Sequence, residues 1–245
     1  MPVLGTHATN DPVIGPSAGT GMAVALNVDL RAIEHAVCAH NMRNRFAGLY
    51  KARKCVDRAE FWGDIVTTIG ADQQINVLEF GVRQGRSMRY WSEHFKNPDT
   101  RFVGFDSFIG LPEDWTENLK TGSFSTRGKA PDIDDPRISY EIGWFQNMLP
   151  GAIARRQQQL AGSPLFVHLD ADLYSATLYV LGVLANHFDE YYVAFDQFHL
   201  DENRALADFM TAYPFRVQFL SYTADKAGRC LAFGRMKKIW FEPGR

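Results

Sequence analysis

Short apolar runs that end in glycine or an acidic residue recur through the chain from residue 75 onward. Seven of them have the length and the Val, Ile, Phe and Tyr content of buried strands in a parallel sheet. They span residues 75–80, 101–105, 137–142, 165–169, 191–195, 215–222 and 229–235. Helical stretches follow several of these runs, at 87–95, 173–188 and 202–212. Alternating strands and helices predict an α/β fold with right-handed crossovers.

The N-terminal part of the chain lacks this alternation. Residues 1–25 are rich in Gly, Pro, Thr, Ala and Asn and have no apolar period, which predicts a flexible tail. Residues 26–70 form a predicted helical region, where Phe61, Ile65 and Ile69 share one helix face. Six basic residues between positions 43 and 58 indicate a solvated helix face, with an anionic substrate or a second subunit as alternatives.

Residues 71–240 form the predicted α/β domain. Within it, residues 111–136 are polar and aperiodic, and loops of that length are usually active-site lids or disordered segments. Residues 223–228 contain Asp, Lys and Gly between the last two apolar runs, so a hairpin is expected there.

Composition and charge leave the predicted fold unchanged, but they argue against nucleic-acid and membrane partners. The chain has 245 residues and a formal net charge of -2, so no global positive field favours nucleic acid. Its apolar stretches are far shorter than the roughly 20 residues of a membrane span, and no signal peptide is expected. The three cysteines are widely spaced and form neither a zinc pattern nor a disulfide framework. A cytoplasmic protein without membrane or nucleic-acid partners is therefore expected.

The first two strand ends carry polar and flexible residues suited to a ligand. Glu79 precedes a turn with Gly81 and Gly85, where the chain can bend tightly and approach a ligand without a Cβ. Asp106 ends the second strand, where a carboxylate can accept the ribose hydroxyls of a nucleoside. Ligands of open parallel sheets bind beyond the carboxyl ends of the strands, so this combination predicts a nucleoside site.

NAD is the rival ligand for such a crevice. Its fingerprint G-x-G-x-x-G has three glycines around a pyrophosphate. This chain has G-x-x-x-G, and Arg83 and Gln84 stand where a pyrophosphate would lie. A nucleoside without phosphate is the better expectation.

Four motifs at strand ends resemble the macrocin O-methyltransferase family of class I methyltransferases. They are EFGVRQGRS at 79–87, VGFDSFIGLP at 103–112, GWFQNMLP at 143–150 and HLDADLYS at 168–175. The resemblance covers roughly residues 61–233. It implies a Rossmann-like, doubly wound sheet of seven strands, mostly parallel with an antiparallel C-terminal strand, and helices on both faces.

The resemblance also implies S-adenosylmethionine as cofactor and a small-molecule acceptor. The residues that would then contact the cofactor are Glu79, Phe80, Gly81, Gly85, Ser87, Asp106, Ser107, Gly143, Trp144, Phe145 and Asp170. Plain core packing is the alternative role for the two aromatic residues that follow the third strand.

Carboxylates at the ends of the fourth and fifth strands suggest a metal or a base. Asp170, Asp196 and Gln197 could hold Mg²⁺ with water molecules. Metal-dependent relatives carry an acidic pair where this chain has Asp196 and Gln197, so the site has one charge fewer. Without a metal, Asp170 or His199 would act as general base, since histidine titrates near neutral pH.

O-methylation of a natural product or sugar is the leading hypothesis. Methylation of nitrogen or carbon, an NAD-dependent oxidoreductase and a non-catalytic cofactor-binding scaffold are the alternatives. A homo-oligomer is also expected from the resemblance.

Overall fold

The computed structural model describes residues 29–240, so the predicted tail at 1–25 lies outside the described residues. The helices of the described part are α1 (Leu30–Asn44), α2 (Arg58–Ile69), α3 (Arg86–His94), α4 (Phe145–Ala161), α5 (Tyr174–Leu184) and α6 (Asp201–Ala212). The strands are β1 (Arg53–Cys55), β2 (Asn76–Phe80), β3 (Arg101–Asp106), β4 (Ile138–Ile142), β5 (Leu165–Leu169), β6 (Glu190–Phe195), β7 (Phe215–Ala224) and β8 (Cys230–Lys238).

All strands join one sheet of eight, in the order β1-β7-β8-β6-β5-β2-β3-β4. Neighbours run parallel except β8, which is antiparallel to both β6 and β7. The hairpin expected between the last two strands is formed. The prediction of a Rossmann-like sheet with an antiparallel C-terminal strand is confirmed, and all seven predicted strands are present as β2 to β8.

The additional strand, β1, lies in the region that the sequence predicted to be helical. β1 is three residues long and pairs in parallel with residues 221–223 of β7. Arg53 and Lys54 are exposed on it, and only Cys55 is buried. A run this short, with two basic residues, has no apolar period, so the pattern gave no sign of a strand. Within the described part of the predicted helical region at 26–70, the structure has α1, a 3-10 turn at Ala47–Lys51, β1 and α2.

Helix α4 fills the interval between the third and fourth predicted strands, where no helix was assigned from the sequence. Pro150 and Gly151 lie inside it, and both residue types weaken a helical pattern. The helix nevertheless buries Leu149, Ala152 and Ile153 on one face. Burial of that face outweighs the poor local propensity.

Helices cover both faces of the sheet because its central strands are buried on both sides. All five residues of β2 and of β5 are buried. Leu78 and Phe80 pack with the buried residues of α4, α5 and α6, whereas Val77 packs with those of α2 and α3. This alternation is the period-2 pattern of a strand between two helical layers. No helix in the described part of the chain is long and apolar enough to cross a membrane.

Main-chain hydrogen bonds continue one residue beyond the strands at the carboxyl edge of the sheet. The N–H of Gly81 donates to the carbonyl of Phe105 at 3.0 Å, and that of Asp170 donates to Phe80 at 2.9 Å. The N–H of Asp196 donates in the same way to Leu169 at 2.9 Å. The strand ends are therefore aligned, and the residues that follow them start from one edge.

Glycine is required at position 81 because two chain segments touch there. Gly81 has a φ of 90°, and a Cβ on it would lie 2.0 Å from the carbonyl oxygen of Asp170. No side chain fits between β2 and β5 at this point.

Gly81→Ala is expected to destabilise the fold far more than Gly128→Ala. Both glycines have positive φ, 90° and 76°, but a Cβ at Gly128 would meet no atom within 4 Å. Backbone strain alone costs about 1 kcal/mol at such a site, and the clash at Gly81 adds roughly 1–3 kcal/mol. Urea unfolding measures both losses. Equal losses would show that the contact with Asp170 is not a packing constraint.

Candidate functional site

A cavity of about 510 Å³ opens at the carboxyl edge of the sheet. The predicted cofactor-contacting residues that line it are Gly81, Ser87, Asp106, Ser107, Trp144, Phe145 and Asp170. The three predicted metal-binding residues, Asp170, Asp196 and Gln197, line it as well. The sheet thus brings together most of the residues chosen from five separate strand ends. Glu79, Phe80, Gly85, Gly143 and His199 are not part of its lining.

Asp106 is held in a fixed orientation by main-chain donors. Its Oδ2 accepts hydrogen bonds from the N–H groups of Val82 at 2.9 Å and Arg83 at 2.8 Å. Its Oδ1 accepts from the N–H of Phe108 at 2.7 Å. A carboxylate offers about four lone-pair positions, so roughly one is left for a ligand. The geometry therefore suits one ligand hydroxyl rather than the two expected from the sequence.

Glu79 lies fully buried beneath the cavity. Its Oε1 accepts a hydrogen bond from the Ser87 hydroxyl and lies 3.0 Å from His168 Nδ1. Its Oε2 has no hydrogen-bond partner in the described part of the chain. A buried oxygen without a donor is costly, and such atoms often mark a place for an absent partner. His168 is a buried core residue.

Three predicted cofactor-contacting residues serve packing within the protein. Phe80 is fully buried and stacks on Phe105 with ring centroids 4.7 Å apart. A Cβ on Gly85 would lie 2.7 Å from Pro131, so this glycine makes room for the long loop. A Cβ on Gly143 would lie 2.9 Å from Met148, which follows it in α4.

The carboxyl groups of Asp170, Asp172 and Asp196 line the floor of the cavity, and that of Glu202 is buried close to them. Burial, followed by the charges of Asp196 and Asp172, raises the pKa of Asp170 well above its ordinary value. Burial and then Asp196 raise the pKa of Asp172 to about 7. Glu202, on the first turn of α6, is fully buried, and burial followed by nearby carboxylates raises its pKa strongly. Perturbed carboxyl groups in a cleft are typical of functional sites.

Arg58 supplies the cation that faces this acidic group. Asp57 caps α2 by accepting the N–H of Glu60 at 2.9 Å, which places Arg58 on the first turn. The Arg58 guanidinium then contacts Asp196 through two pairs of atoms, Nη1 to Oδ1 at 2.9 Å and Nη2 to Oδ2 at 3.0 Å. The second contact is a hydrogen bond, whereas Oδ1 has no hydrogen-bond partner in the described part and is held by charge alone. Arg58 is thus part of the site and not of a solvated helix face.

The predicted magnesium ligands do not form a cation site as they are arranged. Asp196 is engaged by Arg58, and the side-chain amide of Gln197 donates to Asp172 Oδ1 at 3.3 Å. Among residues 29–240, no group of three or more His, Cys, Asp or Glu side chains has the geometry to hold a metal ion. A metal at Asp170, Asp196 and Gln197 would have to displace the contacts of Asp196 with Arg58 and of Gln197 with Asp172. Magnesium binding there stays a prediction.

His199 lies outside the cavity. Its Nδ1 accepts a hydrogen bond from the N–H of Cys230 at 3.2 Å, which ties the loop after β6 to the start of β8. Burial lowers the pKa of His199 below its ordinary value. The structure therefore places this histidine as a neutral, structural acceptor, away from the carboxyl groups of the floor.

The long aperiodic segment is a packed loop over the cavity. Leu111 and Trp115 pack against Ala171 and Leu173, which follow β5. The indole N–H of Trp115 donates to Asp201 Oδ2 at 2.8 Å. The loop is therefore fixed to the start of α6, and it encloses the cavity as the lid prediction required.

Several residues of the site were not predicted from the sequence. They are Arg58, Trp62 and Arg86 in the lining of the cavity, and Glu202, which is buried beside its carboxyl groups. Arg58 was noted only as part of a basic cluster, and Glu202 only as a helix start. Arg58, Arg86 and Glu202 lie on the first turns of α2, α3 and α6, and Trp62 lies inside α2. Position on the first turn of a helix is therefore the signal that three of them share.

His199→Asn is expected to make folding stability less sensitive to acid. Because burial lowers the pKa of His199, the unfolded chain binds this proton more readily, so stability is lost as the pH falls through the unfolded value near 6.5. Asparagine keeps an acceptor for the Cys230 N–H but does not titrate. The free energy of unfolding, measured from about pH 7.5 to about pH 5.5, should fall less in the variant. The same fall in both proteins would contradict this assignment of His199.

No protein-family model matches the chain, and no curated protein matches its sequence. Similar solved structures include CalS11, described as a TDP-rhamnose 3'-O-methyltransferase of calicheamicin biosynthesis, at 18% identity over 88% of this chain and 96% of that one, with a TM-score of 0.44. TomG from Streptomyces achromogenes, described as an O-methyltransferase in complex with SAM, is 13% identical over 84% and 90%, with a TM-score of 0.45. A CmcI structure described with Mg and SAM is 13% identical over 72% of each chain, with a TM-score of 0.42.

Proposed function

We propose that this protein transfers a methyl group from S-adenosylmethionine to a hydroxyl of a small molecule. The observation that carries the proposal is the convergence of Asp106, Trp144 and Asp170 in one enclosed cavity. An oriented carboxylate, an aromatic wall and buried acids at a sheet edge fit a nucleoside beside a reacting hydroxyl. Membership of the macrocin O-methyltransferase family, a cytoplasmic location and a homo-oligomer are part of the same proposal.

The nucleoside and the methionine part of the cofactor would bind at opposite ends of the turn that follows β2. Asp106 keeps about one acceptor position for a ribose hydroxyl. Trp144 and Phe145 are partly exposed in the cavity after β4 and offer aromatic faces to a purine. Gly81 and Ser87 line the turn, where the ammonium end would lie above Glu79. The cavity volume lies within the range of small-ligand sites.

When bound, S-adenosylmethionine supplies an activated methyl group, so the protein mainly positions the acceptor and removes its proton. Asp170 and Asp172 suit the second task. A carboxyl group with a raised pKa is a stronger proton acceptor in its ionised form than an ordinary carboxylate. At neutral pH, a pKa of about 7 leaves Asp172 close to half ionised.

Exclusion of water falls to the loop that covers the floor. Leu111 lines the cavity, and Leu111 and Trp115 pack against Ala171 and Leu173. Asp172 has a φ of 59°, which is unusual for a non-glycine residue, and such strain is common where a side chain is held for function. The loop and the strained turn together fix where the acceptor hydroxyl can lie.

S-adenosylmethionine is expected to bind with micromolar affinity, whereas NAD is expected not to bind. Calorimetry on the whole chain measures both. Asp106→Ala and Trp144→Ala should each weaken binding about tenfold, near 1.4 kcal/mol, because each removes a direct contact. Asp225→Ala and Trp240→Ala are matched controls, since both residues lie outside the cavity. Binding of NAD without S-adenosylmethionine, or equal losses in all four variants, would reject the proposal.

The same calorimetry tests the magnesium prediction. Mg²⁺ titrated into the protein loaded with S-adenosylhomocysteine should release heat that Asp170→Asn removes. Arg58→Gln should then tighten Mg²⁺ binding, because it frees Asp196. Absence of Mg²⁺ binding in both the native protein and Arg58→Gln would contradict the predicted ligand set.

A further inference from the structure

The charges of the cavity are separated between its floor and its rim. Asp170, Asp172 and Asp196 lie at the floor, and the last two are more than nine-tenths buried. Arg83 and Arg86 also line the cavity but are exposed. A ligand that enters this cavity therefore passes guanidinium groups before it meets carboxylates.

The two rim arginines differ from Arg58 in having no acidic partner. Arg58 is bound to Asp196 through both of its terminal nitrogens. Within residues 29–240, the guanidinium groups of Arg83 and Arg86 form no ion pair or hydrogen bond with a carboxylate; their contacts are with aromatic rings. The N–H groups of both guanidinium groups are thus without carboxylate partners in the described part, although the charge of Arg83 still acts on the Asp172 carboxyl group.

Aromatic rings hold both guanidinium groups in place. The Arg83 guanidinium lies 4.9 Å from the ring centroid of Phe124, and that of Arg86 lies 5.6 Å from that of Trp62. Stacking on a ring occupies a face of the planar group and leaves its N–H edges available. Those edges form the planar fork that binds phosphate or carboxylate oxygens.

The Arg83–Phe124 pair is built from two strained positions. Arg83 has a φ of 51° and Phe124 a φ of 68°, both in the left-handed region that favours glycine. The N–H of Arg83 donates to Asp106 Oδ2, which holds this backbone conformation. Bulky residues kept in such conformations at a cavity rim are typical of functional sites.

We propose that the methyl acceptor carries an oxyanion group, phosphate or carboxylate, which Arg83 and Arg86 bind at the rim. This inference rests on the proposed methyltransferase function. The acidic floor repels the anionic end, so the acceptor enters with its hydroxyl toward Asp170 and its charge outward. The two arginines therefore determine both the substrate class and its orientation.

The test is calorimetric titration of inorganic pyrophosphate into the protein saturated with S-adenosylhomocysteine, with malonate in a second arm. At least one anion should bind, and the tighter one identifies phosphate or carboxylate as the preferred group. Arg83→Gln and Arg86→Gln should each weaken binding about fivefold, the range of exposed charge pairs, and the double variant more. Arg216→Gln, an exposed arginine on β7 outside the cavity, removes the same charge and should have no effect.

The outcomes separate this inference from the function on which it rests. Binding of S-adenosylhomocysteine without binding of either anion would overturn the anionic acceptor and leave the methyltransferase standing. Equal weakening by Arg216→Gln would assign the binding to net charge and would also overturn it. Failure of S-adenosylhomocysteine to bind would overturn both.

Discussion

The close approach of β2 and β5 at their carboxyl ends is the constraint on which the site depends. Gly81 leaves no space for a Cβ beside the Asp170 carbonyl, and hydrogen bonds between successive strand ends continue across the edge of the sheet. Because these ends are aligned, side chains that are far apart in sequence lie next to one another along one edge of the sheet. The cavity is thus a consequence of strand register, with the parallel sheet providing the alignment and the residues after each strand providing the chemistry.

Burial of several carboxyl groups at that edge has an electrostatic cost that the N-terminal segment partly offsets. Asp170, Asp172 and Glu202 have raised pKa values because they are buried near one another. Arg58, at the start of α2, neutralises Asp196. A buried pair of this kind is weak evidence for stability, since desolvation opposes the attraction. Its stronger consequence is structural, because it joins the segment before the sheet to the floor of the site and makes that segment part of the cavity.

The sequence predicted those parts of the structure that depend on local pattern. Strands of the central sheet are short apolar runs with clear ends, so their existence and the polar residues that follow them could be found without a structure. Helix α4 was missed because Pro150 hides its period, and β1 because three residues have none. The roles of Arg58 and Gly85 could not be predicted at all. They depend on which distant segment packs against them, Asp196 in one case and Pro131 in the other.

The loop between β3 and β4, which covers the cavity, is tied to the helix that carries one of the buried carboxyl groups. Several of its residues adopt left-handed backbone conformations, among them Phe108 and Phe124, so its local energy alone does not favour this shape. Tertiary contacts supply the difference, since Trp115 bonds to Asp201 at the start of α6, one residue before Glu202. The helix turn that carries the buried Glu202 therefore also anchors the loop that covers the cavity. The Trp115–Asp201 hydrogen bond therefore links the position of the loop to that of the turn that carries Glu202.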